Sequence, residues 1–128
     1  MNLYEQRIQD LFAGWLNKDR SVLDRVFSDS VVYSECYGPV YHGLSHLKQW
    51  FADWNKQGTV LKWDIHACLT SGNQVVCRWY FECEYKKKID GFNGVSWFVF
   101  DAEGYITSVC EYQSTLPHVY PYEPTKGE

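Results

Sequence analysis

The spacing of apolar residues changes once along this chain, at Thr59, and that change bounds what the chain can fold into. Before it, apolar side chains recur at helical intervals. Ile8, Leu11, Phe12 and Trp15 fall at i, i+3, i+4 and i+7, and Leu44, Leu47, Phe51 and Trp54 mark one face of a later segment. From Thr59 onward the period is two, the pattern of strands with one buried face. Helices first and strands after is an α+β order, in which a long antiparallel sheet must curl around the helices to cover their apolar faces.

The first periodic stretch predicts a helix over 3–16, ended by Asn17-Lys18-Asp19. Asp19 or Ser21 can cap a short second helix carrying Val22, Leu23, Val26 and Phe27. A strand is expected at 31–36 and a third helix at 44–56, with Gly58 as its stop. Strands follow at 59–70, 74–87, 92–101 and 105–114, separated by Ser71-Gly72-Asn73, by the lysine run, and by Asp101-Ala102-Glu103-Gly104. The 128 residues read as one domain. Residues 117–128 form an extended tail rich in proline, and its clustered Tyr120 and Tyr122 predict that it docks back on the sheet or on a partner subunit.

Several functional classes are disfavoured. With a net charge of −4 and a single basic run, Lys86-Lys87-Lys88, the chain is not expected to bind nucleic acid. No apolar stretch approaches the ~20 residues of a membrane helix. The first residues lack the apolar core of a signal peptide, so a cytoplasmic location is expected. Five cysteines (36, 68, 77, 83 and 110) without a Cys-x-x-Cys pair read as small buried thiols, not as a disulfide or zinc framework. His42, His46, His66 and His118 lack metal-ligand spacing, and no phosphate loop, nucleophile elbow or dinucleotide fingerprint occurs, so neither metal nor cofactor is expected.

Two acids stand out as carriers of chemistry. Glu35 rides a β-branched, aromatic run, Val31-Val32-Tyr33-Ser34-Glu35, into a Gly-Pro turn. Facing inward without a cationic partner, it would have a raised pKa and could act as a general base; facing water, it could pair with Lys48 or Arg78. Glu111 alternates with Thr107, Val109 and Gln113 on the last strand, and could face a pocket or pair with Arg78 or a lysine across the sheet. The strand at 74–87 sets Cys77, Trp79, Phe81 and Cys83 inward against Val76, Arg78, Tyr80, Glu82 and Glu84. Trp79 and Phe81, with Tyr33, Trp54 and Trp97, could wall a cavity for a flat apolar or aromatic molecule; the same stripe could equally be a filled aromatic core.

Read in order, several short motifs resemble one family. These are Trp15-Leu16-Asn17-Lys18-Asp19 at a helix end, Tyr37-Gly38-Pro39 leading to His42-Gly43, Phe92-Asn93-Gly94-Val95-Ser96, Gly104-Tyr105-Ile106, and Glu111-Tyr112-Gln113-Ser114. Across nearly the whole chain they are similar to the nuclear-transport-factor-2-like superfamily, in its SnoaL-like, ketosteroid-isomerase-like branch. The resemblance implies a cone-shaped, curved mixed sheet around three N-terminal helices, an open pocket, and homodimers formed through the outer sheet face. It does not imply one reaction, because this fold hosts isomerases, cyclases, dehydratases, epoxide hydrolases and inert binding modules.

The resemblance places Glu35 where ketosteroid isomerases carry their general-base aspartate. It puts Phe12 and Ser96 where those enzymes carry oxyanion donors; Phe12 has no hydroxyl, and Ser96 is expected to satisfy a backbone group. Glu111 matches an aspartate of limonene-epoxide-hydrolase-like members, whose arginine and second aspartate are replaced by Trp79 and Phe81. Two readings stand side by side: a cofactor-free isomerase, cyclase or dehydratase with Glu35 or Glu111 as proton carrier, and a non-catalytic ligand-binding or dimerisation module.

Overall fold

Asn2 starts the first helix, its side-chain oxygen accepting the Glu5 N–H at 2.8 Å. Helix α1 runs Leu3–Leu16 and buries Ile8, Leu11, Phe12 and Trp15, the face that the spacing marks. Lys18 turns the chain in a left-handed conformation (φ 53°), and Ser21 stands at the N-cap of helix α2 (Val22–Val26) without a side-chain capping bond, its own N–H donating to the Asp19 carboxylate at 3.1 Å. Helix α3 (Leu44–Gln57) buries Leu44, Leu47 and Phe51. Its Trp50 and Trp54 remain half-buried. The computed structural model describes residues 2–122, and none of their helices is long and apolar enough to cross a membrane.

Six strands complete the described residues: β1 Phe27–Ser34, β2 Val40–His42, β3 Gly58–Ser71, β4 Gln74–Tyr85, β5 Lys88–Phe100 and β6 Ile106–Thr115. They form one sheet in the order β2-β1-β6-β5-β4-β3. The β1–β6 pair is parallel and the others are antiparallel. This is the expected α+β architecture, a curved mixed sheet around three helices. Strand β2, three residues after a proline, is too short to show a period and was not expected. Strand β5 begins at Lys88, four residues before the expected start, because Lys86 and Lys87 both adopt positive φ and close β4 and β5 with a two-residue turn.

One other expectation is corrected. Cys68 and Cys77 are joined as a disulfide; the β3–β4 register sets them directly opposite each other with Cα atoms 4.3 Å apart, a relation that sequence spacing does not reveal. Cys36, Cys83 and Cys110 are free. In the described part of the tail Val119, Tyr120 and Tyr122 are exposed on the single chain, which leaves docking on a partner subunit as the form of that expectation still to be tested. The rest of that expectation, residues 123–128, lies outside the described residues.

Candidate functional site

The alternation of β1 decides where Glu35 points. Val31 and Tyr33 are buried, so the next residue in phase, Glu35, continues the same inward face. Its backbone is fixed by the turn into β2: the Glu35 N–H donates to the Pro39 carbonyl at 2.9 Å, and its carbonyl accepts the Gly38 N–H at 3.1 Å. Gly38, at φ 110°, supplies a conformation that other residues rarely adopt. The parallel β1–β6 register, Tyr33 beside Val109 and Ser34 beside Cys110, leaves Glu35 and Glu111 each one residue past its last pair.

Both acids line one cavity of about 520 Å³ between the sheet and the C-terminal turn of α1. Its walls are Trp15, Tyr41, Trp50, Trp54, Trp63 and Trp79, continued by Phe81 and Phe92. The rings pack against one another around the opening. Tyr41 stacks on Trp50 with centroids 4.6 Å apart, and Trp15 lies 4.9 Å from Trp50 and 5.7 Å from Trp54.

A chain of hydrogen bonds holds Glu111. The Tyr33 hydroxyl donates to its Oε2 at 2.7 Å, and the Ser96 hydroxyl donates to the same oxygen at 3.1 Å. Ser96, wholly buried, in turn accepts the Trp79 indole N–H at 2.9 Å. Gly94 makes that last bond possible. It sits opposite Trp79 in the β4–β5 register, and a Cβ there would collide with the indole ring. Glu35 has one long contact, from the Tyr41 hydroxyl at 3.4 Å. Neither acid has an arginine or lysine ion-paired to it among the described residues; Lys48 pairs instead with Asp24.

Burial without a counter-charge dominates both titrations. It pushes Glu35 up to about 6, with the Tyr41 hydroxyl opposing. Burial pushes Glu111 up to about 7; the Tyr33 and Ser96 donors pull it down and the Glu35 charge adds to the rise. Glu111 is only partly covered by the fold as a whole, because it also opens on the cavity.

The structure gathers Glu35, Glu111, Trp54, Trp79 and Phe81 at the cavity and sends two expected wall residues elsewhere. Tyr33 is buried behind Glu111 and acts as its hydrogen-bond donor. Trp97 is on the outer sheet face, 46% exposed, with its indole N–H on Gln74 at 2.7 Å. The reason is phase: β5 buries Phe92, Gly94, Ser96, Phe98 and Phe100, so Trp97 faces outward. Ser96 serves a carboxyl group and an indole, not the backbone group expected of it. Phe12 is buried and stacked on Trp63 at 3.9 Å, and offers no donor. All four histidines are exposed, and the described residues contain no cluster of three potential metal ligands. Trp15, Tyr41, Trp50 and Trp63 were not singled out as wall residues; Trp15 and Trp54 share helical phase with core positions, and nothing in that phase separates wall from core.

Residues 8–109 match the family model described as a SnoaL-like domain. No curated protein matches the sequence. Among solved structures, an epoxide hydrolase of the limonene-epoxide-hydrolase-like type from M. tuberculosis is similar with a TM-score of 0.78 at 16% identity, over 88% of this chain and 83% of that one. A protein of ketosteroid-isomerase-like fold from Catenulispora acidiphila, solved in complex with trimethylamine, has a TM-score of 0.75 at 17% identity, over 86% and 85%. An NTF2-like protein from Burkholderia pseudomallei has a TM-score of 0.76 at 10% identity, over 89% and 92%. At these identities the likeness is one of fold.

Proposed function

The chain belongs to the SnoaL-like family, and from that premise we propose that its cavity takes up a small, largely apolar or aromatic molecule and moves a proton on it. The observation that carries this reading is that two acids without a cationic partner, Glu35 and Glu111, each one residue past the last pair of the parallel β1–β6 register, line the same aromatic cavity. Near neutral pH, Glu35 at about 6 is mainly carboxylate and serves as the base. Glu111 at about 7 is still protonated in a large fraction of molecules and serves as the acid. One C–H or O–H bond is broken by Glu35 and one is formed with the Glu111 proton, and the two carboxyl groups then exchange that proton through solvent. This balances an isomerisation or a cyclisation; in a dehydration the Glu111 proton goes to a hydroxyl, whose C–O bond breaks as water leaves, and none of the three needs a cofactor.

A second reading, a ligand-binding module without turnover, is favoured by one feature. Phe12 and the Trp79–Phe81 pair occupy positions where related enzymes carry an oxyanion donor and an arginine–aspartate pair, and losing one such donor typically lowers a rate by ~10²–10³. A metabolite library screened by thermal shift, followed by turnover assays on wild type, Glu35→Gln and Glu111→Gln, separates the two. Proton transfer predicts turnover that both substitutions reduce by ~10²-fold or more. Ligands that stabilise all three proteins without conversion would establish the second reading.

We also propose that two copies pair through the outer sheet face. The β3–β6 registers set Leu69, Val76, Trp97 and Cys110 in one row, with Tyr112 two residues along, and Leu69, Trp97 and Tyr112 are exposed. A sedimentation mass of 15.1 kDa, that of one chain, would remove this proposal.

A further inference from the structure

Resting on the reading that the cavity holds a small molecule, we propose that this molecule is a cation: an alkylammonium group seated between aromatic faces and the Glu35–Glu111 pair. The first support is the composition of the wall. Tyr41, Trp50, Trp54 and Tyr85 line the cavity and are only half-buried, so their rings are accessible from it. The Tyr41–Trp50 stack, 4.6 Å and 13° from parallel, and the Trp54–Tyr85 pair, 5.4 Å apart, line the same cavity as Trp15. The faces of such rings are electron-rich and attract a cation within ~6 Å, indole most strongly.

The second support is charge. Four carboxyl groups line the cavity, those of Glu35, Asp53, Asp90 and Glu111, against one ammonium, that of Lys88. Asp53, Asp90 and Lys88 are exposed, and Asp53 is already 3.7 Å from Lys56. The imbalance therefore rests on Glu35 and Glu111. The Tyr41 hydroxyl that reaches Glu35 belongs to the ring stacked on Trp50, so the acid and the aromatic face are parts of one wall.

The energetics choose among ligand classes. A neutral apolar molecule would desolvate both acids further and return nothing to them. An anion would meet two like charges in a low-dielectric site. At pH 8, where both acids are largely ionised, a cation supplies the missing counter-charge and contacts the ring faces at once. The volume of about 520 Å³ is in the range of small-molecule sites and leaves room beside the ammonium for an apolar or aromatic remainder.

The test is a matched pair of probes, (3-hydroxybenzyl)trimethylammonium and 3-neopentylphenol, which have the same shape and differ in N⁺ against C at one atom. Each is titrated into the full chain at pH 8 by calorimetry. The expected result is that the ammonium binds about tenfold tighter or more than its carbon isostere. Glu35→Gln and Glu111→Gln should each weaken the ammonium several-fold and leave the isostere bound as tightly as by wild type or more tightly. Equal or tighter binding of the isostere would overturn the cationic ligand while leaving the small-molecule cavity in place. Binding of neither probe to their solubility limits would overturn both. If Glu111→Gln does not fold, Glu35→Gln, which alters a half-buried turn residue, decides alone.

Discussion

Around the first turns of α1, Tyr4 stacks on Phe100 at 4.2 Å, and Ile8, Leu11, Val75, Phe98 and Ile106 have no accessible surface. Around its last turn, Trp15 joins Trp50, Trp54 and Trp63 about a cavity of about 520 Å³ that also holds two acids. The sheet and α1 reach both ends, and at the open end α3 adds Trp50 and Trp54 to the wall. At the filled end every inward residue contributes apolar burial. At the open end half-buried indoles and carboxyl groups without a cationic partner border the cavity, the feature on which the proposed binding role rests. On the proposed function, stability and function would fall to opposite ends of α1.

The largest effect expected from this division is on truncation of a ring at each end. Phe98→Ala should lower the unfolding free energy by about 3–5 kcal/mol, because the filled end cannot collapse into the space left. Phe81→Ala removes a ring that already borders the cavity and should lower it by only about 2 kcal/mol. Urea unfolding of both variants measures the contrast, and equal losses would break it.

Next in size is a pH effect confined to the open end. The Glu111 carboxyl has a folded-state pKa of about 7 against an ordinary 4.5, so the folded chain holds its proton more tightly than the unfolded one. Wild-type stability should therefore fall as pH rises from about 4.5 to about 7, and the loss should be complete above that window. Glu111→Gln has no proton to lose. At pH 8 it should be more stable than wild type by on the order of 1–3 kcal/mol, the range allowing for the solvent that reaches Glu111 through the cavity, and at pH 4 the gap should close. Unfolding free energies that run parallel for the two proteins from pH 4 to pH 8 would show that the acid is not held as described.

The filled end was legible in the sequence and the open end only partly so, for a physical reason. Ile8, Leu11, Phe12 and Trp15 announce a buried face because helical period and burial coincide there. Period alone does not say whether a ring such as Trp15 or Trp79 touches another side chain or an empty volume. The phase of β4 was readable because Cys77, Trp79, Phe81 and Cys83 are uniformly apolar. That of β5 was not, since its inward row includes Gly94 and Ser96 while Trp97 lies outward. Glycine and serine are inward there because Trp79 needs the space above one and the hydroxyl of the other. That Glu35 and Glu111 line one cavity follows from the parallel β1–β6 register, whose last pair is Ser34–Cys110, a long-range pairing that no local pattern encodes.

Trp97 gives the smallest expected effect and the sharpest control, since it belongs to neither end of α1. Its ring is on the outer face, and its one polar contact, to Gln74, is solvent-exposed. Trp97→Phe should change the unfolding free energy of the chain by no more than about 0.5 kcal/mol. The fluorescence change on filling the cavity should persist in this variant, because Trp15, Trp50, Trp54 and Trp63 report it; loss of that change would place Trp97 in communication with the cavity. Acrylamide quenching then tests the outer face itself. Of the six tryptophans, Trp97 is the one whose ring is largely exposed on the sheet, so at high dilution the variant should lose most of the readily quenched signal. If two copies pair through this face, wild-type quenching should fall as concentration rises and that of the variant should not. Quenching independent of concentration, with a monomer mass, would leave the outer face free and confine function to the open end alone.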